Sequence, residues 1–90
     1  MRAIVSVLGK DRPGIIARIS GILFKTNINI LDISQTVLRE ELFVMSMLVD
    51  MTECLVSFDE IKDQLDECAK EMGMDIRLQR EEIFNSMHRV

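Results

Sequence analysis

Residues 2–8, RAIVSVL, are β-prone and apolar on both faces. Ala3, Val5 and Val7 share one face; Ile4 and Leu8 share the other, with Ser6 between them. A strand of this kind is expected at the centre of a sheet, covered on both sides. From Pro13 to Lys25 the period becomes helical, with Ile15, Ile19, Ile22 and Leu23 on one stripe that Ile16 widens. Pro13 suits the first helical turn, where its missing N–H costs nothing. The segment Lys25-Thr26-Asn27 is expected to close this helix. From Asn27 to Met51 the chain reads as a hairpin that turns near Arg39-Glu40-Glu41. Strict alternation puts Leu31, Ile33 and Val37 on one face of the first arm, and Ile30 with Asp32, Ser34 and Thr36 on the other. The second arm is apolar on both faces, Phe43, Met45, Met47 and Val49 against Leu42, Val44 and Leu48, so it too is expected to be central.

Ser57 opens a second helix. Ser57 and Glu60 have the spacing of a capping box, and Val56 can staple onto Ile61. Ile61, Leu65, Cys68 and Met72 share a face, with Ala69 beside them, and Gly73 is placed to end the helix in a left-handed cap. The stretch from Met74 to Gln79 alternates and predicts a one-sided strand. In the tail, Ile83, Phe84, Met87 and Val90 recur at helical spacing. The expected division is a domain over residues 1–81 and a tail over 82–90 that forms a short helix.

The order is β-α-β-β-α-β, which fits an α+β ferredoxin-like sandwich with sheet order 4-1-3-2 and both helices on one face. That order puts the two doubly apolar strands in the middle and the two half-polar ones at the edges. The face without helices would then carry Ile4, Leu8, Leu42, Val44 and Leu48, too apolar to leave wet. The tail helix could cover part of it, and a second copy of the chain is the expected main cover, giving a homodimer or higher homo-oligomer.

Composition narrows the functional classes. Ninety residues make one domain. The net charge of −4 and the absence of a basic run argue against nucleic-acid binding, as does a first strand without aromatics. Cys54 and Cys68 lack a Cys-x-x-Cys spacing, and the only histidine is His88, so neither a metal site nor a cofactor is expected. No apolar run reaches the roughly 20 residues of a membrane span, and no signal peptide precedes the first strand, so the expected location is the cytoplasm. No Ser/His/Asp or Cys/His set can be assembled. The acidic residues Asp59, Glu60, Asp63, Asp66 and Glu67 read as a solvated helix face. The seven methionines, Met45, Met47, Met51, Met72 and Met74 among them, read as core filling. The chain is therefore expected not to be an enzyme.

One segment stands apart. GKDRPGIIARI, Gly9 to Ile19, joins the first strand to the first helix. The N–H groups of Gly14, Ile15 and Ile16 would lack intrahelical partners, and such donors favour a carboxylate. Gly14 has no side chain, so a ligand can approach the backbone closely; Gly9 would free the turn before it. Asp11 suits either a helix cap or an ammonium group. Amide donors with one carboxylate match a free amino acid. The same residues also make a good helix start with no ligand.

GKDRPGIIARISGIL, followed by NINI at 27–30 and DISQTV at 32–37, resembles the ACT domain over residues 1 to about 80. The family's Asp-Arg/Lys-Pro-Gly-hydrophobic motif corresponds to Asp11 through Ile15, and its Asn-Ile pair to Asn29-Ile30. The ending is similar to that of small stand-alone ACT proteins, themselves related to glycine-cleavage-system transcriptional regulators. The resemblance implies a regulatory module that binds an amino acid or related metabolite between two copies and acts through a separate partner protein. By position, Gly9, Lys10, Asp11, Arg12, Pro13, Gly14 and Ile15 would supply the loop, and Asn29 an amide that donates to a carboxylate and accepts from an ammonium. Some serine-binding members carry His where Gly9 stands and Asn where Asp11 stands, which speaks against serine. The alternatives are a structural or protein-interaction domain without a ligand, and an acylphosphatase-like enzyme using Arg12, Lys10 and Asn29. The corner lacks the Gly-x-Val-x-Phe-Arg type of loop that such an enzyme carries.

Overall fold

The computed structural model describes residues 1–83. Its elements are β1 (Arg2–Lys10), α1 (Ile15–Lys25), β2 (Asn29–Leu38), β3 (Leu42–Asp50), α2 (Phe58–Met72) and β4 (Asp75–Arg80). The four strands form one antiparallel sheet in the order β2-β3-β1-β4, the ferredoxin-like arrangement expected from the pattern. The backbone is helical at Glu81–Ile83, where the described residues end. Phe84, Met87, His88 and Val90 of the expected tail helix lie outside them.

Both helices cover the face that carries Ala3, Val5, Val7, Phe43, Met45, Met47, Val49, Ile76 and Leu78, all buried. α1 contributes Ile15, Ile19 and Leu23, and α2 contributes Ile61, Leu65, Cys68 and Met72. Each large aliphatic side chain buried here is worth about 1.5–3 kcal/mol. The five methionines named above are all at most 9% exposed, so they do fill the core. Ile4, Leu8, Leu42, Val44 and Leu48 alternate with the buried set and stand on the open face, Leu8 at 45% exposure and Leu42 at 37%.

Both helices stop in the same way. At the end of α1, Asn27 takes a left-handed φ of 62°, the Ile28 N–H donates to the Leu23 carbonyl (2.9 Å) and the Asn27 N–H to that of Phe24 (3.2 Å). At the end of α2, Gly73 takes φ 65° and the Met74 N–H reaches the Ala69 carbonyl (2.9 Å). Both are Schellman endings, with the αL residue just past the helix. At the start of α2, the Ser57 hydroxyl accepts from the Glu60 N–H at 3.2 Å, one half of the expected capping box.

Two local expectations are corrected. α1 starts at Ile15 rather than Pro13, because Gly14 sits at φ 86°, ψ 3°, a left-handed conformation that cannot be a helical turn. Also, Ile30 does not share a face with Asp32. A β-bulge between Ile30 and Asp32 makes Leu31 an extra residue, so Ile30, paired with Val49, lies on the same side as Ile33, paired with Met47. Pure alternation cannot foresee that phase change.

Candidate functional site

The corner from Gly9 to Ile15 lies at one end of the sheet. Lys10, the last residue of β1, pairs with Leu42, which in turn pairs with Leu38. The Asp11 N–H donates to the Glu41 carbonyl at 2.7 Å, so the corner is tied to the β2–β3 turn. That turn holds two successive left-handed residues without being glycine or asparagine: Arg39 at φ 53° and Glu40 at φ 63°. Lys10, Leu38, Arg39, Glu41 and Leu42 line a shallow depression here. No local pattern signals that the turn joins the corner, because their proximity depends on the β1–β3 register.

Each corner residue has a defined setting. Gly9 is an ordinary strand residue, and its missing side chain serves packing. A Cβ there would meet Met74 at 2.9 Å from Cε, 3.1 Å from Cγ and 3.3 Å from the backbone Cα. This corrects the expectation that Gly9 frees a turn. Arg12 donates to the Met72 carbonyl at 3.3 Å, bracing the corner against the end of α2, where a cation also suits the helix dipole. Ile15 is buried, so only its backbone faces outward use. Lys10, Asp11, Pro13 and Gly14 are exposed. α1 has no side-chain cap, so Asp11 is not the helix cap. Nothing lies within 4 Å of a Cβ built on Gly14. The first amides of α1 therefore have no side-chain cap, and the Asp11 carboxylate is nearby in sequence.

Asn29 is not part of this constellation in one chain. It begins β2 opposite Asp50, which pairs with Arg2, so it lies at the other end of the sheet. The eight-residue span of β1 between those levels corresponds to about 26 Å. Asn29 instead lines a polar depression with Asn27, Ile28, Asp50, Thr52 and Glu53. Asp50 there accepts from the Thr52 hydroxyl (2.6 Å) and N–H (2.9 Å), and these bonds hold its carboxyl below its usual pKa. Among the described residues, no group of three or more His, Cys, Asp or Glu side chains is placed to hold a metal ion. Nor is any described helix long and apolar enough to cross a membrane.

The profile of the ACT domain matches residues 2–79. The chain belongs to the ACT-domain family. It is similar to a UPF0237 protein of Clostridium acetobutylicum, 54% identical over 90 residues and covering 100% of both chains. Among solved structures it is similar to an ACT domain protein from Streptococcus pneumoniae, 37% identical with a TM-score of 0.79, covering 93% of each chain. A putative glycine cleavage system transcriptional repressor shares the fold at 14% identity and a TM-score of 0.70, over 87% of this chain and 44% of that one. ACT domains are typically regulatory ligand-binding modules, in keeping with a corner where no side chain caps the first helical amides.

Proposed function

We propose that this ACT domain binds a free amino acid, or a metabolite with the same carboxylate-and-ammonium pair, at an interface between two copies, and that it regulates a separate protein without catalysing a reaction. The observation that carries this reading is the uncapped start of α1 at Gly14. No side chain caps the first amides beyond the left-handed glycine, and nothing lies within 4 Å of a Cβ built on it. In this arrangement the Gly14 and Ile15 amides receive the carboxylate, and Asp11 receives the ammonium. Lys10 and Pro13 flank the ligand, and Gly9 and Arg12 hold the corner's shape.

The separation of Asn29 from the corner supports a shared site. One chain keeps the two at opposite ends of its sheet, so a pocket containing both needs a second chain. β2 is the edge strand and is almost wholly exposed, with Leu31, Ile33, Val37 and Leu38 between 37% and 47%. Its outer backbone edge is unpaired and carries only one charged side chain, Asp32. Antiparallel pairing of two β2 strands sets the Asn29 end of one against the Leu38 end of the other, the end where the corner lies. Asn29 of the partner copy then orients the ligand.

The test is thermal unfolding of the whole chain against the twenty amino acids, repeated with Asp11→Ala and Asn29→Ala. Both residues are exposed and neither side chain caps a helix, so both variants keep the fold. A ligand at a hundredfold excess over its Kd stabilises the native state by about 2.7 kcal/mol. One amino acid should raise the midpoint, and each substitution should abolish that rise. A flat panel would refute the reading and return the corner to a helix start.

A further inference from the structure

Two apolar side chains at the end of α1 belong neither to the core nor to the corner. Phe24 is 85% exposed and Leu55 72%, and no other large apolar side chain among the described residues exceeds 49%. The backbone holds their segments together: the Leu55 N–H donates to the Thr26 carbonyl at 2.9 Å, and the Asn27 side chain to the Glu53 carbonyl at 3.1 Å. Phe24 also ends a line along α1 with Ala17 and Gly21 at helical spacing. That line makes no polar demand and is unobstructed. The Ser20 hydroxyl turns back to the Ala17 carbonyl (3.3 Å), and a Cβ built on Gly21 meets nothing within 4 Å. α2 beside it is different. It holds six carboxylates against Lys62 and Lys70, a net charge of −4 that equals that of the whole chain. Glu60, Gln64, Glu67 and Glu71 share one stripe, and the 2.6 Å contact of Glu71 with Arg18 turns that stripe toward α1. Among the described residues Glu60 and Glu67 make no ion pair.

We propose that the outer surface of the two helices docks a basic amphipathic helix of a separate protein, its apolar side on Phe24 and Leu55 and its lysines or arginines on Glu60 and Glu67. Exposed apolar anchors beside a row of unpaired carboxylates match a segment that carries both chemistries. The sign of the partner follows from charge: α2 attracts cations and repels an acidic helix. Its form follows from the surface, which has no strand edge to extend. Ala17 and Gly21 admit a helical ridge at an interaxial distance of about 8–10 Å. A second copy of this chain is disfavoured as the occupant, because its own α2 brings the same carboxylates. The inference gives a contact surface to the separate protein of the reading above. It uses neither the ligand corner nor the β2 edge.

The experiment is fluorescence anisotropy on the full chain without added amino acid, so failure of the ligand reading leaves its outcome unchanged. The probes are three labelled synthetic peptides: a helix with a leucine stripe and lysines elsewhere, the same helix with glutamates for lysines, and a scrambled lysine peptide without the stripe. The variants are Phe24→Ser, Leu55→Ser and Glu67→Lys, all at exposed positions, with folding checked by circular dichroism. The wild-type chain should bind the striped lysine helix and neither of the others with comparable affinity. Phe24→Ser and Leu55→Ser should each weaken that binding by about tenfold or more. Glu67→Lys should weaken it too, and should improve binding of the glutamate helix. A wild-type chain that does not bind the striped lysine helix overturns the proposal. So does binding that survives Phe24→Ser, or a scrambled peptide that binds as well. Phe24-dependent co-sedimentation with phosphatidylglycerol vesicles, in place of peptide binding, would assign the surface to lipid and overturn it likewise.

Discussion

The β2–β3 turn holds avoidable strain, and its relief can be measured. Arg39 and Glu40 sit at φ 53° and 63° in succession, the pairing that a primed hairpin turn requires and that asparagine-glycine serves best. A side chain held in the left-handed region costs roughly 1–2 kcal/mol. Replacing Glu40 by glycine removes that cost and adds roughly 0.5–1 kcal/mol of unfolded-state entropy. Glu40→Gly should therefore stabilise the fold by about 0.5–1 kcal/mol, and Arg39→Asn should add a smaller increment of the same sign. For a domain of this size, 1 kcal/mol moves the unfolding midpoint by roughly 4–8 °C. The assay is thermal unfolding by circular dichroism on wild type, Glu40→Gly and the double variant. Glu53→Gly serves as a control, since Glu53 is exposed and has no positive φ. It should lower the midpoint. A Glu40→Gly midpoint at or below that of wild type would refute the reasoning. Because the Asp11 N–H is bonded to Glu41, the same variants also report whether a stiffer turn alters ligand affinity at the corner.

The two corner glycines should respond differently to substitution. Gly9→Ala adds a Cβ 3.3 Å from the Met74 backbone, an overpacking that costs roughly 1–3 kcal/mol before a small gain from losing a strand glycine. Gly14→Ala should cost roughly 1–2 kcal/mol through backbone conformation alone. Asparagine, which tolerates the left-handed region, should be milder than alanine at position 14 and worse than alanine at position 9, as read from unfolding midpoints. The thiols should also separate. Cys68 is buried against Met72, and burial raises its pKa, whereas Cys54 is half-buried. In the native protein one thiol per chain should react with a disulfide reagent at pH 8, mapped by mass spectrometry to Cys54. Fast modification of Cys68 would show that α2 opens readily.

The strands and their order were legible because burial leaves a pattern. β1 and β3 are apolar on both faces and lie at the centre; β2 and β4 have a polar face and lie at the edges. The α2 start and both helix ends were legible because Ser57, Asn27 and Gly73 act through local geometry. The features that were not legible depend on phase or register. The Leu31 bulge shifts alternation by one residue without a glycine to mark it. The turn at Arg39-Glu40-Glu41 was legible in position, but the left-handed conformation of Arg39 and Glu40 was not, since neither is glycine or asparagine. Gly9 reads like a turn glycine until Met74 is seen beside it. The motif at Asp11 to Ile15 was legible as chemistry, but its distance from Asn29 follows only from the sheet topology.

The Leu31 bulge has a bearing on fidelity. A long apolar edge is indiscriminate: a partner strand can slide along it by two residues and still present the same face. The edge of β2 would have that ambiguity, with one charge in ten residues to resist it. A bulge breaks translational equivalence, because a strand displaced by one step meets the extra residue at the wrong place. The seven residues from Asp32 to Leu38 are thereby a segment with a marked beginning. In the proposed pairing of two β2 edges, Leu31 would serve as an index mark that favours one alignment over its neighbours.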